Sequence, residues 1–382
     1  MIKKLNVKNT LQIHSQAKVE FYAEYLSRYL RILYLSEHIQ QINIFDVFCG
    51  MGIYEDGGKG SPIVAFDAIK KFLSEEKLIK NSTKITLVVN DKEKVKIDKV
   101  KDYIDSQNQS VCEVKYYNYD IEQMFTIVQQ EVSITKSDTR NLIFIDPYGY
   151  KDIKKELLSQ LMENKKTEII LFLPISHMHR FTQKAMQDEE TTKYEPLRKF
   201  VNSFFSENHK MRQQQLPVME YIQYISEALK FKDRFFATSY YIERDKTNYF
   251  ALFFMSSNIL GFQKILEVKW TLDENSGRGF KIPQLQGNLF AEQFAEDTKN
   301  ENANRLEKVL LDALKEPKTN RQIYEITLKS EFLSKHTTEV FEKWQKNNSK
   351  FKVIDIKTNK EARKHSFYIS DKENKVQFKM DK

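Results

Sequence analysis

Ile42-Asn43-Ile44-Phe45-Asp46-Val47-Phe48-Cys49-Gly50-Met51-Gly52 is the stretch on which the fold turns. A short apolar run rich in branched and aromatic residues reads as a buried strand, and the glycine pair marks the hand-over from strand to loop. Upstream, Val19, Tyr22, Leu26, Tyr29, Leu30 and Leu33 recur at spacings of three and four, which predicts an amphipathic helix over 16–39 packed on the sheet. Downstream, a polar Gly-rich loop leads to a helix over 63–78 and a strand over 84–91. The alternation continues with strands over 111–118, 141–146 and 168–173, separated by helices over 92–104, 121–132 and 151–164. Parallel neighbours need crossovers, and the crossovers cover both faces, so the runs predict an α/β fold: a Rossmann-like, doubly wound, mostly parallel sheet. A charged helical insertion over 176–232 precedes two strands, 234–243 and 249–255, joined by a polar turn, which predicts a late antiparallel hairpin and seven strands in all.

The expected domains follow: an N-terminal helical segment over 1–40, an α/β core over 41–274, a linker or arm over 275–300 rich in Gly, Gln and Asn, and a separate module over 301–382. In that module three helices end in a hairpin with strands over 351–356 and 366–370, the order of a winged helix. The chain has 382 residues, 41% of them hydrophobic, enough for a sizeable core. Its formal charge is +8, and residues 301–382 hold 19 Lys and Arg against 13 Asp and Glu, or +6 of that excess. This concentration points the module at a polyanion, with a solvated lysine-rich surface as the ordinary alternative. The apolar runs are too short to span a membrane and no apolar leader follows the first residues, so a cytoplasmic protein is expected. Cys49 and Cys112 lie in no metal-ligand spacing; they are expected to be reduced, with no metal site.

Open α/β sheets bind ligands beyond the carboxyl ends of their strands. The first strand delivers Asp46, Phe48, Cys49, Gly50 and Gly52, with the glycines allowing close backbone approach. The second ends in Asp91, suited to two vicinal ribose hydroxyls. The third is followed by Asp120, placed to accept from an adenine amine or, equally, to cap the next helix. The fourth ends in Asp146-Pro147-Tyr148-Gly149, a carboxylate beside an aromatic ring. The dinucleotide pattern G-x-G-x-x-G fails because residue 55 is Glu, and no Gly-Lys-Ser/Thr phosphate loop follows.

Asp46-Val47-Phe48-Cys49-Gly50-Met51-Gly52 resembles motif I of S-adenosylmethionine methyltransferases, in the form shared with DNA methyltransferases. Asp146-Pro147-Tyr148-Gly149 is similar to motif IV of enzymes that methylate base amines. Together with Lys18, Tyr25-Leu26, Gly60-Ser61-Pro62 and Phe280 to Gln284, these stretches resemble the bacterial three-Cys-motif partner (TcmP) family over roughly residues 10–295. The C-terminal part resembles the winged-helix domain often appended to it. The resemblance implies a class I methyltransferase fold, S-adenosylmethionine as cofactor, and pairing with a radical-SAM-like three-Cys-motif protein. Two departures stand out: Tyr148 occupies the place of a second proline, and the Asp46-to-Asp91 interval is long unless residues 53–62 form an inserted loop.

For an exocyclic amine on a nucleic acid, DNA or RNA, Asp146 and the Pro147 carbonyl would orient the nitrogen while Tyr148 stacks on a base taken out of its helix. Neither cysteine lies in the context of a cytosine C5 nucleophile. His14 and Lys18 could face the pocket, although a solvated helix face is the commoner outcome; His177, His179 and Arg180 belong at the rim, and Trp270 and Trp344 read as core. In the module, Lys335, Lys343 and Lys346 on the third helix and Lys360, Arg363 and Lys364 at the tip are the candidate nucleic-acid contacts. Two alternatives to an enzyme stay open: a non-catalytic methyltransferase-like partner subunit, and a defence or mobile-element component whose winged helix binds DNA to regulate.

Overall fold

A computed structural model describes residues 11–75, 83–107, 111–188, 191–245, 247–281, 291–347, 350–370 and 372–381, with backbone alone at 291–296. The chain divides into two compact units, residues 1–264 with 279–282, and residues 265–278 with 283–382. Among the described residues no helix is long and apolar enough to cross a membrane.

In the first unit, α1 (Ile13–Tyr34) precedes β1 (Gln41–Asp46), α2 (Ser61–Glu75), β2 (Lys84–Asn90), α3 (Lys94–Ser106), β3 (Glu113–Tyr117), α4 (Ile121–Ser133), β4 (Thr139–Ile145), α5 (Lys155–Met162) and β5 (Thr167–Leu173). The insertion supplies α6 (Ile175–Gln187), α7 (Glu195–Phe204), the short α8 (Lys210–Gln213) and α9 (Val218–Ala228). Then come β6 (Phe236–Asp245), β7 (Asn248–Ser256), α10 (Ile259–Leu272) and β8 (Gly279–Lys281). The sheet order is β3-β2-β1-β4-β5-β7-β6-β8. Strands β1 to β5 are mutually parallel, and β7 runs antiparallel to both β5 and β6. The central strands are buried on both faces, as parallel strands under two helical layers must be.

The sheet therefore has eight strands rather than seven. The additional one, β8, pairs parallel with the edge strand β6. Its three residues are too few to show a period, and the close approach depends on Gly279, where a Cβ would lie 2.5 Å from the Tyr241 ring. Cys112 lies just before β3, not within it, because pairing begins at Glu113. Within 275–300, Gly279–Lys281 is strand and the chain is helical from Ala291; residues 282–290, including Pro283 and Gln284, lie outside the described residues, as do residues 1–10 and 76–78.

The second unit begins inside α10. Trp270 donates to the Glu331 carbonyl (2.9 Å) and packs at a tilt against His336, while the buried Lys269 pairs with Glu331 (2.9 Å), so residues 265–278 are tied to the C-terminal helices. The elements are α11 (Ala291–Ala313), β9 (Lys318–Thr319), α12 (Asn320–Lys329), α13 (Ser334–Asn347), β10 (Phe351–Asp355) and β11 (Val376–Met380), with sheet order β10-β11-β9. A capping box between Thr319 and Gln322 starts α12. The return strand is Val376–Met380 and not 366–370. His365 and Tyr368 have φ of 62° and 49°, which breaks an extended run. Buried Asn320 instead satisfies this segment, donating to the Tyr368 and Glu373 carbonyls (3.0 Å each) and accepting from Lys375 and Val376. Trp270 and Trp344 are both buried, as expected.

Candidate active site

The strand tips are laced together by Asn90 at the end of β2. Its amide donates to the Val47 and Tyr119 carbonyls (3.2 Å each) and its oxygen accepts from Tyr119 N–H (3.0 Å), while Cys49 N–H donates to the Asn90 carbonyl (2.9 Å). The loops after β1, β2 and β3 are thus tied to one another through one side chain. Gly50 and Gly52 have φ of 63° and 69°, a region costly for other residues. Their surroundings differ: a Cβ on Gly52 would meet the Val100 side chain at 2.6 Å, whereas one on Gly50 would meet nothing within 4 Å. Gly52 packs the loop against α3; Gly50 faces open space. The long interval to Asp91 is taken up by a loop closed by an Ile53–Lys59 bridge, ahead of α2 at Ser61.

Around Gly50 stand three acids. Asp91 accepts from Gly50 N–H (3.2 Å) and Glu93 N–H (2.9 Å), with Lys96 Nζ 3.6 Å away. Asp46 is fully buried, and neither carboxylate oxygen has a well-aligned hydrogen-bond partner among the described residues. Burial pushes its carboxyl up to about 7; the nearby Ser61 hydroxyl opposes the shift and the charge of Asp146 reinforces it. Asp146, at the end of β4, is held by Lys18 Nζ from α1. Lys18 also lies over the Phe172 ring (4.7 Å), which stacks on Phe250, which stacks on His14 with ring planes 2° apart. Burial, then Arg244 and Lys18, bring His14 down to about 4, so it is neutral.

Lys96 of α3 reaches from Asp91 to the Tyr148 hydroxyl and also binds Glu93 (2.7 Å). Burial disfavours its charge, but those hydrogen bonds and Asp91 outweigh it and hold the ammonium above its usual range. Because β2, β1 and β4 are adjacent in that order, the Lys96–Tyr148 bond joins segments that follow the strands on either side of β1. Tyr148 is 72% exposed, with Lys96 Nζ over its ring (4.8 Å), while Pro147 is buried. Tyr54, half-buried, feels Lys18, Asp146, Tyr148 and Lys96 together, with burial the main cause of its raised hydroxyl.

The structure thus brings together Asp46, Gly50, Asp91, Asp146 and Tyr148. Phe48 is half-buried against the core, and Gly52 serves the loop's shape. The Cys49 thiol is buried and pushed far above its ordinary range, and burial takes Cys112 up to about 12, so neither is a ready nucleophile. Asp120 is exposed and caps α4, accepting from Gln123 N–H (2.9 Å). Lys18 belongs to the site, where a solvated helix face was the commoner expectation. Lys96 and Asn90 carried no signal, one sitting among many lysines and the other being an ordinary strand-end amide. His177 meets Tyr150 (3.2 Å) and His179 meets the Leu216 carbonyl (2.6 Å) on α6. Among the described residues no group of three His, Cys, Asp or Glu could hold a metal ion.

In the second unit, Lys335, Lys346, Lys360, Arg363 and Lys364 are exposed, but Lys343 pairs with Glu307 (3.3 Å) and Glu342 engages His365 (3.1 Å). His336 is packed against Trp270 and Phe332, and burial brings it down to about 4.

No family model matches the chain, and no curated protein matches it. Among solved structures it is similar to WbdD over 63% of this chain and 40% of that one, at 11% identity and a TM-score of 0.34, so it spans less than half the length of WbdD. It is similar to an O-methyltransferase from Bacillus cereus in complex with SAH over 62% and 80% of the two chains, at 12% identity and a TM-score of 0.30. Trm1 from Pyrococcus horikoshii with S-adenosyl-L-methionine is similar over 75% and 72%, at 10% identity and a TM-score of 0.32. Likenesses this distant leave the function to be read from the chain's own residues.

Proposed function

We propose that this chain is a class I S-adenosylmethionine-dependent methyltransferase of the three-Cys-motif partner kind, acting on an exocyclic amine of a nucleic-acid base. The observation that carries the reading is the gathering of Asp46, Asp91 and Asp146, at the ends of three adjacent strands, around the open space over Gly50. The strand order, with an antiparallel β7 inserted beside β5, is that of the class I methyltransferase sheet. The site's chemistry fits the cofactor: Asp91 has remaining acceptor capacity for ribose hydroxyls, and the buried Asp46 sets a negative charge beneath the loop that would meet an ammonium group. Lys18 suits the cofactor's carboxylate, and Asp120 keeps one carboxylate oxygen free of its capping bond for an adenine amine.

When bound, S-adenosylmethionine supplies a sulfonium methyl. Asp146 and the Pro147 carbonyl accept hydrogen bonds from the amine and aim its lone pair, Tyr148 stacks on the base, and the nitrogen sheds its proton to the carboxylate or water. The second unit has the helix–strand–helix–helix–hairpin order of a winged helix, and its exposed lysines and Arg363 would hold phosphates. The Lys18–Asp146 pair favours one other reading, a non-catalytic partner subunit, since it occupies the carboxylate an amine would use.

Calorimetry with S-adenosylmethionine, followed by transfer of labelled methyl to total tRNA, rRNA and DNA, tests the reading. Binding and transfer to one pool are expected, with transfer lost in Asp146→Ala. Binding without transfer to any pool would support the partner subunit, and absence of binding would refute the cofactor.

A further inference from the structure

At the end of the sheet that carries the candidate active site lies a cavity of about 550 Å³, lined by Ser176, His179, Arg180, Gln215, Val218, Thr247 and Tyr249. We propose that it binds a nucleotide unit of the polynucleotide substrate next to the target base, with the phosphate on Arg180 and the base against Tyr249 and Val218. This rests on the nucleic-acid methyltransferase reading and names a contact that reading does not contain.

Position is the first ground. Ser176 and Arg180 stand on α6, which leaves the carboxyl end of β5, and Thr247 and Tyr249 stand at the hairpin turn between β6 and β7. Since β7 is antiparallel to β5, that turn lies at the same end of the sheet as Asp146. Phe250, which follows Tyr249 in β7 and so faces the other side of the sheet, stacks on Phe172, the ring beneath the Lys18 that holds Asp146.

The walls are built rather than incidental. Ser176 Oγ donates to the Thr247 carbonyl (2.9 Å) and accepts from Tyr249 N–H, stitching α6 to the hairpin. His179 Nε2 donates to the Leu216 carbonyl (2.6 Å), fixing the segment that carries Gln215 ahead of α9. Tyr249 stands opposite Glu243 across the hairpin. The volume falls within the roughly 300–1,000 Å³ of ordinary small-ligand pockets.

Charge selects the ligand. Arg180 is exposed, and among the described residues its guanidinium makes no hydrogen bond or ion pair. The acid nearest in sequence to this rim, Asp245, is already satisfied by Asn248, Thr247 and Arg244. An exposed guanidinium with no protein partner among the described residues, beside one aromatic ring, suits a phosphate joined to a base.

Fluorescence anisotropy with a labelled single-stranded oligonucleotide of the methylated type, with S-adenosylhomocysteine present, tests the proposal on the full chain. Arg180→Glu should weaken binding by about tenfold or more and Tyr249→Ala by about fivefold. Calorimetric affinity for S-adenosylhomocysteine should be unchanged in both, which also reports an intact fold. In methyl transfer, Arg180→Glu should raise KM and leave kcat within about twofold. Wild-type affinity in both variants would overturn the proposal while leaving the nucleic-acid reading intact. An unmodified chain that binds S-adenosylhomocysteine but no oligonucleotide would overturn both.

Discussion

Asp46 and Glu168 are both buried acids, and their different partners give them different uses. Glu168, in β5, accepts from the Tyr25 hydroxyl and from Ser256 Oγ (2.6 Å), which makes it part of the packing of α1 on the sheet. Burial nonetheless raises its carboxyl to about 7, against those hydrogen bonds. An acid whose folded-state value lies above its unfolded one holds its proton more tightly when folded. Its stabilising contribution is complete below about pH 4.5 and is lost as pH rises through about 7. Glu168→Gln should therefore flatten the decline in stability between pH 5 and pH 8, by on the order of 3 kcal/mol in urea denaturation; an unchanged pH profile would contradict it. Lys96 is the opposite case, a cation that ties Asp91 to Tyr148. Lys96→Met should destabilise the fold by about 1–2 kcal/mol, since it leaves the buried Asp91 carboxylate its two backbone donors but removes the countercharge, and should weaken cofactor binding, measured by calorimetry.

At the scale of elements, the loop after β1 separates two reasons for glycine. Gly52→Ala places a side chain at positive φ and against Val100, so a loss of about 2–4 kcal/mol is expected in thermal or urea unfolding. Gly57→Ala, at φ of 82° but with open space around it, should cost about 1 kcal/mol. Equal costs would mean that packing on α3 contributes nothing. The strands and helices of the first unit were legible because their signals are local: β4 and β5 are continuous apolar runs between polar turns. Asp120 carried two local meanings at once, and the observed cap satisfies one oxygen only. The return strand of the C-terminal hairpin was misplaced because residues 366–370 hold buried Phe367 in an irregular segment, whose backbone is satisfied by distant Asn320.

At the scale of the whole molecule, the net charge of +8 and its excess over 301–382 bear on a polyanion as a matter of field rather than fit. Neutralising Lys360, Arg363 and Lys364 together should reduce the slope of log affinity against log salt by about 2–3 if all three meet phosphates. An unchanged slope, measured by anisotropy between low and moderate salt, would move the phosphate contacts to the first unit and to residues such as Arg180. Lys343, already paired with Glu307, should change the slope little.

By itself the amino-acid order determined the alternation of buried strands and helices, the glycine turn after the first strand, and which strand ends carry acids, because periodicity and turn chemistry are written within a few residues. Only the tertiary structure decided that Lys18 reaches Asp146, 128 positions away, that Lys96 joins Asp91 to Tyr148, and that three residues at Gly279 add an eighth strand. Those contacts depend on how the strands are ordered side by side, and a side chain's partner across a sheet leaves no mark on its own neighbours in the chain.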